Sequence, residues 1–257
     1  MKNFCFTADD NIRFLKEITE NAYESIFDHP YLAMYRRLHE AFGLKIQLNL
    51  FYRLGDFDLS QVSRRYREEW KENADWLKLS FHSEQENIKP YETSTYGIVY
   101  EDCRKTNREI LRFAAPEVLA NTTTIHYCLL TQEGLKAMED NGVRGLLGLF
   151  GTDAAPCTSY GIDEHDAKEI REGEILKIGN ISFASIDMIL NLFSIDQILE
   201  QLEHLKHRSH IEVMIHEQYY YSDYRAYQPE FEEKLRATFA FLTKQGYQST
   251  FFEDLIS

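Results

Sequence analysis

The sequence predicts a single α/β domain, a parallel β/α barrel of about seven to eight strands over residues 1–257. Three observations carry this expectation. Short apolar strands alternate with amphipathic helices along the chain, the pattern of a parallel sheet with crossover helices. No linker or repeat divides the 257 residues, a length that suits one barrel of about 200–250 residues. Neither Gly-x-Gly-x-x-Gly after the first strand nor Gly-x-x-x-x-Gly-Lys-Ser/Thr occurs, so the usual nucleotide-phosphate cradles are missing. Periodicity alone leaves a doubly wound open sheet as the alternative.

The elements follow in order. Residues 2–6 read as a short buried strand, and Asp9 and Asp10 come directly after it. Residues 12–24 carry Ile12, Leu15, Ile18 and Ala22 at close to helical spacing. A second helix at 31–42 lines Leu32, Tyr35, Leu38 and Phe42 on one face, with Gly43 placed to end it. Strand two, 45–52, alternates Ile46, Leu48, Leu50 and Tyr52. A charged helix at 62–75 leads into strand three at 76–82, and a long helix covers 93–113. Strand four takes 122–130, a helix 132–141 and strand five 145–150. Residues 152–180 form an irregular excursion, with a small hairpin near 174–181. Strand six at 182–188, a helix at 195–207 and strand seven at 211–216 come next. A helix at 229–244, with Pro229 in its first turn, and a strand at 248–252 close the chain.

Composition bounds the function. With 44% hydrophobic and 14% aromatic residues the chain can fill a core. A formal net charge of −14 argues against nucleic acid or an anionic membrane surface as partner, since both need clustered Lys and Arg. Cys5, Cys103, Cys128 and Cys157 are scattered without Cys-x-x-Cys spacing, as suits reduced thiols. No basic and apolar leader opens the chain and no apolar run approaches 18 residues, so a cytoplasmic protein without a membrane span is expected.

The polar residues then gather at strand ends. Asp9 and Asp10 follow strand one, His82 ends strand three, Asp187 lies near the end of strand six and His216 ends strand seven. In a parallel barrel these ends open on one face, where active sites collect. Two adjacent carboxylates repel unless a cation or proton sits between them; the plainer reading is that Asp9 or Asp10 caps the next helix. If the chain turns helically after His82, Glu86 stands at i+4 on the same face and both could grip one ion. His126, on a strand carrying Thr122, Thr123 and Thr124, is open to three roles: a substitute ligand, a substrate contact or a core histidine. Tyr219, Tyr220, Tyr221, Tyr224 and Tyr227 after strand seven are either a sugar-stacking mouth or a packed lid.

These residues resemble the polysaccharide deacetylase (NodB-homology) family, whose fold is a distorted β/α barrel. The family's Thr-Phe-Asp-Asp-Gly is similar to Thr7-Ala8-Asp9-Asp10-Asn11, and its His-Ser/Thr-x-x-His to His82-Ser83-Glu84-Gln85-Glu86, with glutamate for the second histidine. Arg112-Phe113-Ala114-Ala115-Pro116 stands where an Arg-x-Pro motif belongs. Asp187 survives from Asp-x-x-Asp-Trp, and Met214-Ile215-His216 from the closing Leu-x-x-His type. The resemblance implies Asp9 as general base and Asp10, His82 and Glu86 as ligands of a divalent ion. It further implies His216 as general acid, Asp187 as the residue fixing its tautomer, and Arg112 as the residue orienting Asp9. The ion would be zinc or a harder ion such as manganese, iron or magnesium, because a second carboxylate makes the shell richer in oxygen.

The expected function is metal-dependent hydrolysis of an N- or O-acyl group on a carbohydrate or small sugar conjugate. A divalent ion with one base and one acid supplies the water, the carbonyl polarisation and the leaving-group proton. Two alternatives stand beside it. One is a non-catalytic descendant that binds sugar or metal; the other is a glycosidase pairing Asp9 or Asp10 with Glu86 or Glu217.

Overall fold

The computed structural model describes residues 2–21, 23–86, 89–151 and 158–256. Ala22, Cys157 and the start of the expected excursion lie outside the described residues. The principal strands are β1 (Lys2–Asn11), β2 (Ile46–Phe51), β3 (Leu77–Ser83), β4 (Thr122–Thr124), β5 (Gly145–Gly148), β6 (Ile181–Ser185), β7 (His210–His216) and β8 (Tyr247–Ser249). The helices are α1 (Arg13–Asn21), α2 (Pro30–Phe42), α3 (Arg67–Glu72), α4 (Tyr96–Phe113), α5 (Gln132–Asp140), α6 (Glu164–Arg171), α7 (Ile195–Leu205), α8 (Phe231–Lys244) and α9 (Phe252–Ile256). No helix among the described residues is long and apolar enough to cross a membrane.

The sheet is mostly parallel and falls into two arcs. In the longer arc β7 pairs with β1, β1 with β2 and β2 with β3, while β8 adds to the first residues of β1. A two-residue strand, Met188–Ile189, extends it beyond β7. The shorter arc runs β4, β5, β6 and then the antiparallel strand Leu176–Ile178. The arcs meet at two seams where backbone pairing is sparse among the described residues. A bridge joins Leu79 to Leu119, with Ala120 N donating to Leu79 O at 2.9 Å; on the other side Asp187 N donates to Glu212 O at 3.0 Å.

Side-chain alternation sorts the longer arc into two faces. Phe4, Phe6 and Ala8 of β1 and Ile46, Leu48 and Leu50 of β2 pack outward under the helices in one core cluster. A second cluster lies under α4, α5 and α6 and takes in Phe81, Leu146 and Phe183. The inner face is unusually polar. Gln47 Nε2 donates to Asn49 Oδ1 (2.8 Å) and Thr122 O (2.9 Å), Ser80 Oγ to Asn49 Oδ1 (2.5 Å), and Thr122 Oγ1 to Gln47 Oε1 (2.9 Å). This satisfied network occupies the space inside the two arcs where an apolar plug would otherwise sit.

Several boundaries depart from the sequence expectation. Strand four stops at Thr124, because Tyr127 and Cys128 take left-handed φ of 61° and 57° and fold 126–128 into a turn. Residues 62–75 shrink to a short turn and α3. The excursion holds α6 and the expected hairpin, and the closing strand gives way to α9 after Ser249.

Candidate active site

The two carboxylates depend on a break in β1. Neighbouring side chains of a regular strand face opposite sides. Pairing with β2 shifts register between Ala8–Leu48 and Asn11–Leu50, and Asp10 takes φ 61°. The bulge brings Asp10 into the same cavity as Asp9. Asn11 fastens it: Nδ2 donates to Ala8 O (2.5 Å) and Oδ1 accepts from Tyr31 OH (3.0 Å). Neither aspartate caps α1. The amides of Ile12, Arg13 and Phe14 all donate to the buried Glu217 carboxylate, at 2.7, 3.0 and 2.8 Å. Tyr221 OH adds a fourth donor at 3.0 Å, so Glu217 is a structural cap and its lone pairs are spent.

Asp10, His82 and His126 form the centre of the cavity. Asp10 Oδ1 lies 3.1 Å from His82 Nε2 and 3.2 Å from His126 Nδ1, and those nitrogens are 3.1 Å apart. Thr124 O can only accept, so the proton of His82 sits on Nδ1, 2.5 Å from it. That leaves the Nε2 lone pair facing a carboxylate oxygen and a second imidazole. Three such atoms crowd together unless a cation or extra proton joins them. Their spacing fits an ion: ligands at about 2.1 Å on one face of a first-row metal lie about 3.0–3.4 Å apart. Gln218 Nε2 donates to Asp10 Oδ2 at 2.7 Å and holds the carboxylate in place.

Asp9 stands beside this triangle without joining it. Asn49 Nδ2 donates to its Oδ1 at 2.6 Å, and Oδ2 is 3.9 Å from His82 Nδ1. The adjacent carboxylates are pushed apart electrostatically. Burial lifts Asp9 to about 6, with neighbouring Asp10 adding to the rise. Burial also presses Asp10 upward, but the neighbouring His126 and His82 rings outweigh it and hold the carboxyl well below its ordinary range. One carboxylate suited to taking a proton and one suited to ligation is the division that such pairs show.

His216 ends β7 opposite Asp9 in register and lines the same cavity of about 320 Å³. Its Nδ1 is 2.9 Å from Asn191 Oδ1, which also accepts from His216 N at 3.2 Å. The amide oxygen places the ring proton on Nδ1 and leaves Nε2 unbonded.

Three expected residues sit elsewhere. Glu86 lines the mouth of the cavity but is exposed and outside the ligand cluster; residues 84–86 bend instead of continuing as a helix. Arg112 lies on the outer helical layer, bonded to Glu109 and to the carbonyls of Leu59 (2.8 Å) and Ser60 (3.1 Å). Asn49 is the residue that holds Asp9. Asp187 is bonded to Arg208 and to Glu212 N at 2.9 Å. Because Met188 pairs with Val213, Asp187 is level with Glu212, four residues before His216. Asn49, Asn191 and Gln218 carried no motif; only Gln47 and Asn49 left a signal, as polar residues on the inner face of an otherwise apolar strand.

The tyrosines after β7 divide between the two readings. Tyr219 and Tyr224 line the cavity with Tyr127, which is 51% exposed at its mouth. Tyr220 and Tyr221 pack on Tyr31, with ring centres at 5.1 and 6.4 Å.

Neither a protein-family model nor a curated protein sequence matches the chain. Solved structures do. A peptidoglycan N-acetylglucosamine deacetylase superposes with a TM-score of 0.54 at 11% identity, over 99% of this chain and 87% of that one. A CE4 family pseudoenzyme from Bacillus anthracis gives 0.52 at 12% identity, over 100% of this chain and 66% of that one. The chain has the CE4 deacetylase fold. The deacetylase fold does not by itself fix a reaction: a 4-alpha-glucanotransferase from Thermococcus litoralis also superposes, at 0.58 and 12% identity, over 99% of this chain and 40% of that one.

Proposed function

We propose that this chain is a divalent-metal-dependent hydrolase that removes an N- or O-acyl group from a carbohydrate. The observation that carries the reading is the convergence of Asp10, His82 and His126 on one point, beside Asp9 and in the cavity lined by His216. The name of the peptidoglycan N-acetylglucosamine deacetylase with the same fold supports an acylated sugar as substrate.

Asp10, His82 and His126 would hold the ion. When bound, it polarises the acyl carbonyl and makes water a better nucleophile. One carboxylate with two neutral imidazoles places one formal negative charge on it, a set that favours zinc and a stronger Lewis acid than a ligand set with Glu86. Asp9 takes the proton of the attacking water on Oδ2, since Asn49 occupies Oδ1. His216 would act in its imidazolium form: Nδ1–H stays on Asn191, and a second proton, taken up from solvent on Nε2, passes to the departing amine or alcohol. Water adds to the acyl carbon, the bond to the sugar's nitrogen or oxygen breaks, and a carboxylic acid and the free sugar group leave. Tyr127, Tyr219 and Tyr224 offer faces for the sugar ring.

The test is acetate release from N-acetylglucosamine oligomers and O-acetylated sugars by zinc-loaded protein. We expect turnover that Asp10→Ala abolishes together with metal binding. His216→Ala should keep the metal and lose roughly 10²–10⁴-fold in kcat, the contribution of one positioned acid. Zinc-loaded protein that hydrolyses none of these substrates would leave only a binding role.

A further inference from the structure

Inner-face residues of β1 and β7 stack in three levels: Asp9 beside His216, Thr7 beside Met214 and Cys5 beside Glu212. The top level belongs to the site already described. The bottom level is a second cluster of metal-ligating side chains. Cys5 and Glu212 are register partners on adjacent parallel strands, and His210 lies two residues before Glu212 on the same face. Ligand atoms of all three lie within 4.8 Å of one another.

The cluster is closed off from solvent. Cys5 is 2%, His210 8% and Glu212 1% exposed. His210 Nε2 and Glu212 Oε1 are 2.7 Å apart, yet His210 Nδ1 and Glu212 Oε2 have no hydrogen-bond partner among the described residues. A buried carboxylate oxygen and a buried imidazole nitrogen left bare are costly. Asp187 gives no relief, since its oxygens are engaged by Arg208 and Glu212 N. Phe252 of α9 stacks on the His210 ring at 6.4 Å and covers the floor.

We propose that Cys5, His210 and Glu212 form a second, structural metal site for a thiophilic divalent cation, zinc being the one that suits a sulfur, nitrogen and oxygen set. On binding, the thiol loses its proton to solvent and the thiolate and carboxylate together cancel the ion's two charges. The buried charge of Glu212 is thereby neutralised without exposing it. Cys5 lies four residues before Asp9 along β1, about 13 Å at the usual rise, and five before Asp10. The two ions are therefore independent, and this one ties β1 to β7 at the end of the sheet remote from the cavity.

Cobalt(II) separates the two sites, because only a thiolate ligand gives an intense near-ultraviolet charge-transfer band. The protein titrated with cobalt(II), and then with zinc, should take up two ions per chain and show that band. His82→Ala should remove one ion and keep the band. Cys128→Ser, which changes the thiol lining the cavity, should keep it as well, whereas Cys5→Ser should lose it. Should Cys5→Ser fail to fold, His210→Gln and Glu212→Gln serve in its place, and each should weaken cobalt binding at the thiolate site at least tenfold. One ion per chain with no thiolate band in the wild type, or a band that survives Cys5→Ser, would overturn the proposal.

Discussion

A proton acceptor and a metal ligand on consecutive residues can serve one cavity only where a strand loses its alternation. Asp10 in left-handed geometry allows this, and an ion held there would draw on His82 and on His126 across the seam. Two substitutions decide the third ligand. His126→Ala should cut metal content and activity together, while Glu86→Ala should leave metal content near that of the wild type; metal analysis after gel filtration reads both. Asn49→Leu should keep the metal and lower kcat about 10–150-fold, since a hydrogen bond to a charged group is worth about 1.5–3 kcal/mol. At this scale the gathering of Asp9, Asp10, His82 and His216 around one cavity is legible in the sequence, because each sits where a strand ends. The sequence points to Glu86 before His126 because spacing describes a helix well and an irregular turn poorly. Asn191 and Asp187 could not be ranked as partners of His216 from order alone, since their levels in the sheet depend on the break between Ser185 and Met188.

Among the elements, α1 owes its start to a residue far away in sequence. Three amides at its N-terminus meet Glu217, and the 0% exposure of that residue leaves no water to replace it. Burial pushes its carboxyl up to about 7, against the pull of the amides of Ile12, Phe14 and Arg13 and of Tyr221. Glu217→Ala should cost about 3 kcal/mol or more, because caps are worth about 0.5–2 kcal/mol and each stranded buried donor adds about 1–3. Urea unfolding followed by circular dichroism measures it. Elements with clean periodicity, such as α2 with Gly43 at φ 64° closing it, fell close to their expected bounds. Strand four was overextended because Ile125, Tyr127 and Leu129 alternate like a strand, while two left-handed residues spend that alternation on a turn. Helix α6 was not visible, its eight residues being mostly charged with only Ala167 and Ile170 buried.

For the whole molecule, the chain order of the strands was readable, but the division of the sheet into two arcs was not, because pairing strength between neighbouring strands leaves no periodic trace. That division has a mechanical consequence. Asp10 and His82 belong to the longer arc and His126 to the segment leaving the shorter one, so an ion on these three residues would be a rivet across a seam with little backbone pairing. Ligation of the native state alone stabilises it by about 2.7 kcal/mol at a hundredfold excess over Kd, or about 5–10 °C in Tm for a chain of this size. Calorimetry before and after chelation measures that shift. Hydrogen exchange should further show the gain unevenly shared. Amides of β4 and the turn after it should slow most when metal binds, and those of α8, packed on the far side of β1, should slow least. A reactive centre that also fastens two halves of a shell would make the loss of its ion felt first as loosening, before any change in chemistry.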